Sequence, residues 1–529
     1  MKELIFHRLF VPAMNYLANK ESIIDGAYSA TFGEHADRTM RLCTALSGEL
    51  GVGRSDRFAV MALTSHEYVE LYHAAYLGAG VINPLNLRLA GKELDYIVRD
   101  SGTEVAFVDK TFAPLFAQAM ALAGDECTVR RTVLIGGPDD ETNAPYDLRY
   151  EDLIAGSDPV LPDEPEETDP VVLMYTGGTT GLPKGVLCNQ RAEILNTYHG
   201  IMRFPQLSDG VALLQTPIFH AASMVGVIAT QTFGGKFVLM PMFDPGAAIA
   251  LIEKYQVTTT TMVPTMIHMM MSHPDFTPEK LASLRNLGYG ASPMPAALLD
   301  RLLSLFPEME IGQGYGMTES SSLLTVLDAE DHKVGGDRLR SVGRAVPGVV
   351  LSIQDEDGNI LPSGEIGEVC AKGGNYMTEY WNKPEATEEA FQGGWYHTGD
   401  AGYLDEEGYL FLVDRVKDMI VSGGENVYSA EVESAISTHP VVGQVAVIGI
   451  PHEVWGEQVH AIVVPKEGAD VDEGTEASII SHARESIAGY KVPKSVEFRA
   501  EPLPLSGAMK VLKRELRAPY WEGKERGIN

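Results

Sequence analysis

Thr176, Thr179, Thr180 and Lys184, set among Gly177, Gly178, Gly181 and Gly185, are the residue types that wrap a polyphosphate. Glycine lets backbone N–H groups approach an anion, hydroxyls donate hydrogen bonds, and a lysine ammonium adds a point charge. A bare glycine cluster more often marks an ordinary turn. Here it directly follows the apolar run 171–174, which has the length and composition of a buried strand, and it carries threonines and a lysine. A P-loop requires Gly-Lys followed by Ser or Thr. The pairs Gly91-Lys92, Gly235-Lys236 and Gly523-Lys524 all lack that hydroxyl residue. The loop therefore reads as a nucleotide-phosphate cradle of another kind.

Further residues with chemical potential follow in order. Gly290, Ala291 and Ser292 close one strand candidate, and Gln313, Gly314 and Tyr315 with Thr318 and Glu319 follow the next. Glycines at strand ends are where open α/β sheets place ligands. Downstream come Asp400 in Trp395-Tyr396-His397-Thr398-Gly399-Asp400, Arg415 and Lys417 between Asp414 and Asp418, the loop Ser422-Gly423-Gly424-Glu425-Asn426, and Lys510. Each alone has a plain structural reading. Asp400 suits a turn and Glu319 a helix start. Arg415 and Lys417 suit a solvated charge cluster, Lys510 a basic face with Lys513, Arg514 and Arg517, and His220 a core histidine.

The elements that must position these residues are legible in outline. At 529 residues the chain exceeds one compact core. From about residue 35 to 320, β-type runs at 57–63, 104–108, 132–135, 236–240, 258–263 and 284–289 alternate with helical stretches at 71–77, 245–255 and 295–306. Such alternation predicts an α/β fold with parallel layers. Turn-rich sequence from 340 to 415 predicts a β-rich subdomain. Residues 416–529 predict a small α/β domain. A formal charge of −32 argues against nucleic acid as a partner. Four scattered cysteines give no zinc or disulfide framework. No run is long and apolar enough for a membrane span, and the early charges do not suit a signal peptide. A cytoplasmic location is the expectation.

In this order, and over about residues 30–520, the motifs resemble the acyl-adenylate-forming superfamily of acyl-CoA synthetases, firefly-type luciferases and adenylation domains. The resemblance implies a large N-terminal domain of stacked α/β subdomains (1–415) and a small mobile C-terminal domain (416–529) hinged at Lys417. It implies that a carboxylate attacks the α-phosphorus of ATP, releasing pyrophosphate and leaving acyl-AMP, which coenzyme A then takes as a thioester. Thr176, Gly177, Gly178, Thr179, Thr180, Gly181 and Lys184 would hold the β- and γ-phosphates, and Glu319 with Thr180 would hold Mg²⁺. Thr318 would serve the α-phosphate. Gln313, Gly314 and Tyr315, with Gly290, Ala291 and Ser292, would frame adenine, and Asp400 and Arg415 the ribose. Lys510 would neutralise the reacting centre. After a swing about Lys417, Ser422, Gly423, Gly424 and Glu425 would line the pantetheine tunnel.

Two departures from the family pattern stand out. Gly177 replaces a hydroxyl residue, and Met509 replaces the glycine before the catalytic lysine. At the expected acyl pocket, His220 occupies the place where amino-acid-activating relatives carry aspartate. Ala221, Ala222, Ser223 and Gly226 are small, with Met262, Val263, Met266 and Met269 as candidate apolar lining. The expected substrate is an apolar carboxylic acid, foremost a medium- or long-chain fatty acid, with an aryl or arylpropenoic acid as alternative. Loading of a carrier protein, or a catalytically lapsed nucleotide-binding sensor, are the competing roles. A homodimer is compatible with the sequence.

Overall fold

The computed structural model describes residues 2–89, 91–137, 140–176, 183–204, 210–292, 294–415, 419–422, 425–452, 455–505 and 511–522 of the chain. These fall into two compact units, 1–350 with 372–391, and 351–371 with 392–529. Packing therefore divides the β-rich segment: 351–371 and 392–415 group with the C-terminal fold, and 372–391 with the first unit. The hinge expected at Lys417 lies outside the described residues.

The first unit is built on two mainly parallel sheets. In the eight-stranded sheet, Val81–Pro84, Arg57–Met61, Val105–Asp109 and Arg131–Ile135 run parallel, and the hairpin Pro170–Thr176 with Lys184–Asn189 extends one side. In the nine-stranded sheet, Lys236–Leu239, Val211–Leu214, Thr259–Met262, Asn286–Gly290 and Glu310–Tyr315 run parallel. Covered on both faces, such strands are continuous apolar runs: Phe58, Ala59, Val60 and Met61 are all fully buried. The connecting helices start at side-chain caps. Thr31 and Glu34 form a reciprocal capping box on Phe32–Ser47, and Asp244 accepts from Ala247 N ahead of Pro245.

The helix His66–Tyr76 has all but its first residue buried. Tyr68, Tyr72 and Tyr76 recur four apart on one face, with ring centroids 5.5 and 6.4 Å apart. Each such ring removed from water stabilises the fold by roughly 1.5–3 kcal/mol.

The second unit holds two smaller sheets. In one, Gly367–Lys372, Tyr396–Leu404 and Leu410–Arg415 pair antiparallel. The other is centred on Val442–His452 and Gly456–Pro465, with Ser495–Phe498 added parallel and the helices Ser429–Ser437 and Thr475–Arg484 packed on it. Among the described residues, no helix is long and apolar enough to cross a membrane.

Candidate active site

The glycine-rich segment after Thr176 connects the two strands of a β-hairpin. Thr176 stands directly opposite Lys184, and Tyr175 opposite Gly185. Gly177, Gly178, Thr179, Thr180 and Gly181 lie outside the described residues, but the root of the loop is firmly held. Tyr175 OH donates to Asp100 Oδ2 (2.6 Å), Trp381 Nε1 to Asp100 O (2.9 Å), and Trp381 N to Gly185 O (2.7 Å). A Cβ at Gly185 would sit 3.0 Å from the side chains of Leu173 and Tyr175, so glycine permits this approach. Lys184 Nζ lies 4.7 Å from the Tyr380 ring centroid, over its electron-rich face.

The same tyrosine reaches the second motif. Tyr380 OH donates to Glu319 Oε1 at 2.8 Å, so Lys184 and Glu319 meet on one side chain. Thr318 and Glu319 sit in a single 3₁₀ turn, Thr318–Ser320, just past the strand Glu310–Tyr315. The chain then takes a strained path, with Ser321 at φ 54° and Ser322 at φ 121°. Its neighbours enforce that path. Asn196 donates to Ser321 O and accepts from Leu323 N (3.1 Å). Asn375 Nδ2 donates to Ser320 O (3.0 Å) and Leu323 O (2.8 Å), and Met377 N to Glu319 O (2.7 Å). One turn before Asn196 on the same helix, Gln190–Arg203, Glu193 is buried and accepts from Tyr76 OH (3.1 Å). Burial raises its carboxyl to about 7.

At the next strand ends, Gly290 pairs with Gly314 and Tyr289 with Gln313. A Cβ on Gly290 would lie 2.3 Å from Gly314 O, which explains the glycine. Ala291 turns at φ 66° before the helix Ala296–Leu305, with Ser292 following. Gln313 is aimed by a hydrogen-bonded chain. His332 Nδ1 lies 2.8 Å from Asp328 O, which can only accept, so Nδ1 carries the proton. His332 Nε2, 3.0 Å from Tyr289 OH, then accepts from it. The same tyrosine hydroxyl lies 3.2 Å from Gln313 Oε1, which links the Gln313 amide to His332 through one ring. Burial lowers the His332 pKa and keeps this tautomer neutral. Tyr315 ends the strand, its carbonyl accepting from Leu324 N at 2.7 Å.

His220 follows the strand Val211–Leu214, half-buried, with its ring 4.5 Å from that of Phe219. Ala221–Ser223 lead into the helix Met224–Thr232, and the space beside Gly226 is open. Met262, Val263 and Met266 are buried on the neighbouring strand and helix, whereas Met269 is 39% exposed.

In the second unit, Asp400 stands directly opposite Arg415 across antiparallel strands. Asp400 is 9% exposed, and its N–H donates to Thr398 Oγ1 at 3.1 Å. Ser422 ends a short strand opposite Glu425. Lys417, Gly423, Gly424 and Lys510 lie outside the described residues. Glu193, Asn196, Asn375 and Tyr380 are supporting residues that motif reading missed. Each works through a partner more than 50 residues away in sequence.

The AMP-binding enzyme family model matches residues 12–381, and the AMP-binding enzyme C-terminal domain matches 431–510. The chain is 38% identical over 499 residues to a feruloyl-CoA synthase of an Amycolatopsis species, covering 94% of this chain and 95% of that one. It is 38% identical over 483 residues to a long-chain-fatty-acid–CoA ligase of Mycobacterium tuberculosis, covering 90% and 91%. The crystal structure of an anthranilate CoA ligase in complex with anthranoyl-AMP superposes with a TM-score of 0.88 at 26% identity, over 98% of this chain and 97% of that one. With hydroxyl, lysine and carboxylate groups gathered at the strand ends of an α/β core, the chain belongs to the AMP-binding enzyme family and is an AMP-forming acyl-CoA ligase.

Proposed function

We propose that this ligase activates an apolar carboxylic acid, foremost a medium- or long-chain fatty acid, as its acyl-AMP and passes the acyl group to coenzyme A. The observation that carries the reading is the His220 segment. It presents a half-buried imidazole and small residues with open space beside Gly226, and has no carboxylate to pair with an amino acid's ammonium; Met262 and Met266 are buried on the neighbouring strand and the helix after it. An arylpropenoic acid is the second reading, favoured by the feruloyl-CoA synthase at the same 38% identity as the fatty-acid ligase.

Chemically, two anions must meet, so the site must supply cations and donors where charge develops. Thr176, Lys184 and the loop between them would hold the β- and γ-phosphates. Thr318 would donate to the α-phosphate, Gln313 and Tyr315 with the Gly290–Ser292 turn would take adenine, and Asp400 and Arg415 the ribose. Glu319, an oxygen donor with one carboxylate oxygen bonded to Tyr380, fits Mg²⁺, and Thr180 is its expected companion ligand. When bound, Mg²⁺ would neutralise phosphate charge; orientation of the triphosphate remains the task of the protein groups. Lys510 would draw carboxylate and α-phosphate together, and Ser422, Gly423, Gly424 and Glu425 would receive pantetheine.

Incubating the protein with ATP, CoA and a panel of fatty, aryl, arylpropenoic and amino acids tests the reading. Acyl-CoA and pyrophosphate should form with the fatty or arylpropenoic acids and not with the amino acids. Turnover of amino acids alone would overturn the proposal. Pyrophosphate without any acyl-CoA would transfer it to a carrier-protein ligase.

A further inference from the structure

A cluster of side chains outside the reaction machinery sits in the four-stranded sheet of the second unit. Glu368 and Cys370 are two apart on the strand Gly367–Lys372, and so share a face, apart from the irregular register between them. His397 stands directly opposite Cys370 on the neighbouring strand. His397 Nδ1 is 2.8 Å from Glu368 Oε2 and 3.5 Å from Cys370 Sγ, and the three donor atoms lie within 4.8 Å of one another.

The second ring nitrogen gives this cluster its chemistry. His397 Nε2 lies 3.2 Å from Gln392 O, a group that only accepts, so the proton belongs on Nε2. In the neutral ring Nδ1 is then an acceptor, facing the Glu368 carboxylate and the Cys370 thiol, whose S–H can donate to it until a metal displaces that proton. Three electron-rich atoms converge on one point, and a cation at that point satisfies them all. A carbonyl that accepts from the far ring nitrogen is also the usual way a metal-binding histidine is oriented. For tetrahedral zinc, bonds of about 2.3 Å to sulfur and about 2.05 Å to nitrogen place those two atoms about 3.5 Å apart, the separation found here. The nitrogen-to-oxygen spacing for the same ion is about 3.4 Å, so the carboxylate must swing out by about 0.6 Å.

We propose that Glu368, Cys370 and His397 form a site for a borderline-soft divalent cation of the zinc type, with a water as fourth ligand. The sulfur is fully buried at the base of the site, while the Glu368 and His397 side chains, 30% and 22% exposed, leave the entrance open. On ligation the Cys370 thiol loses its proton to solvent and sulfur bonds the metal as thiolate. Burial and Glu368 push that thiol up to about 12, so the thiol is protonated until a metal takes the sulfur. Mg²⁺, which prefers an all-oxygen octahedron, should not compete.

The site has a mechanical link to Asp400. The other oxygen of the same carboxylate, Glu368 Oε1, accepts from Gly399 N at 2.9 Å, and Gly399 turns at φ 70° immediately before Asp400. Swinging Glu368 toward a metal pulls on that turn. If Asp400 holds the ribose, as proposed above, metal binding weakens ATP binding, and the cation acts as an inhibitor.

Cobalt(II) is the probe, titrated into the full chain without CoA and followed by its thiolate charge-transfer absorption. The proposal expects one equivalent bound with such a band, unaffected by excess Mg²⁺. Cys370→Ala should lose the band and bind at least about tenfold more weakly. Absence of binding in the wild-type protein, or an undiminished band in Cys370→Ala, would overturn it; the second result would point to another of the four cysteines, all of them free thiols. Glu368→Gln, which keeps the shape of the side chain, should retain the band with weaker binding; unchanged affinity there would also count against the site. Nucleotide affinity is measured separately on cobalt-loaded, desalted protein. A band with unchanged ATP affinity would leave the metal site standing and overturn the link from Glu368 through Gly399 to Asp400.

Discussion

Lys510→Ala is expected to lose acyl-AMP formation by about 100- to 1000-fold while retaining thioester formation from supplied acyl-AMP and CoA. The reason is where charge develops. In the first half-reaction a carboxylate approaches a phosphorus flanked by anionic oxygens, and a cation placed there acts mainly in the transition state. Removing one such donor costs about 3–4 kcal/mol of barrier. In the second half-reaction the thiol meets an already activated, mixed anhydride, and the family resemblance assigns Lys510 no part in it. Met509 in front of this lysine sharpens the test, because a side chain replaces the usual glycine. Two assays separate the steps: acid-dependent exchange of labelled pyrophosphate into ATP, and acyl-CoA formation from synthetic acyl-AMP. Loss of both activities, with thermal melting unchanged, would contradict the division of labour.

Gly316→Ala is expected to lower kcat/KM by about 100-fold or more through the position of Thr318 and Glu319. A Cβ at Gly316 would lie 1.8 Å from Ser322 O, 2.7 Å from Ser322 C and 3.0 Å from Leu323 Cα, all backbone atoms. No rotamer relieves that overlap. The chain at 315–317 must separate from 322–324, yet the bonds Leu324 N to Tyr315 O (2.7 Å) and Ser322 N to Met317 O (3.1 Å) tie these segments together. A shift of about 1 Å at catalytic groups costs roughly 100-fold in rate. Gly156→Ala serves as control, since a Cβ there meets nothing within 4 Å and its backbone is helical. Wild-type activity in Gly316→Ala would mean that the 316–322 contact does not position Glu319.

Sequence alone located the parallel cores well. The helix read at 245–255 is Pro245–Tyr255 in the structure, because Asp244 and Pro245 mark its start without help from distant residues. The run read at 236–240 is Lys236–Leu239, and that at 132–135 is Arg131–Ile135, since strands buried on both faces are apolar without interruption. The helix read at 71–77 begins earlier, at His66, because polar Glu67 and Glu70 conceal a buried turn capped by Ser65. Glu70 is fully buried against Arg38, and a partner 32 residues away cannot be read from local pattern. The antiparallel return Lys184–Asn189 was likewise hidden behind the glycine loop.

The site divides the same way. Glycines, threonines and charges at strand ends carried the resemblance to the AMP-binding family, which the family match supports, while their individual roles stand as proposals. Tyr380, Asn196, Asn375 and Glu193 are ordinary residues made important by tertiary contact. Asn196 and Asn375 exist to hold a backbone path that no propensity favours, visible only once Ser321 and Ser322 are seen at positive φ. Gly177, the departure noted in the loop, lies beyond the held root at Thr176 and Lys184.

Activation of the acid as an acyl-AMP leaves an isotopic signature in the products. It is read by running the complete reaction with an accepted acid labelled with heavy oxygen in its carboxylate and weighing what forms. One carboxylate oxygen becomes the bridge to the α-phosphorus and stays with AMP when the thiol displaces it. The expected products are AMP carrying one heavy oxygen and unlabelled pyrophosphate. Label in inorganic phosphate, with ADP as the nucleotide product, would contradict activation as an acyl-AMP.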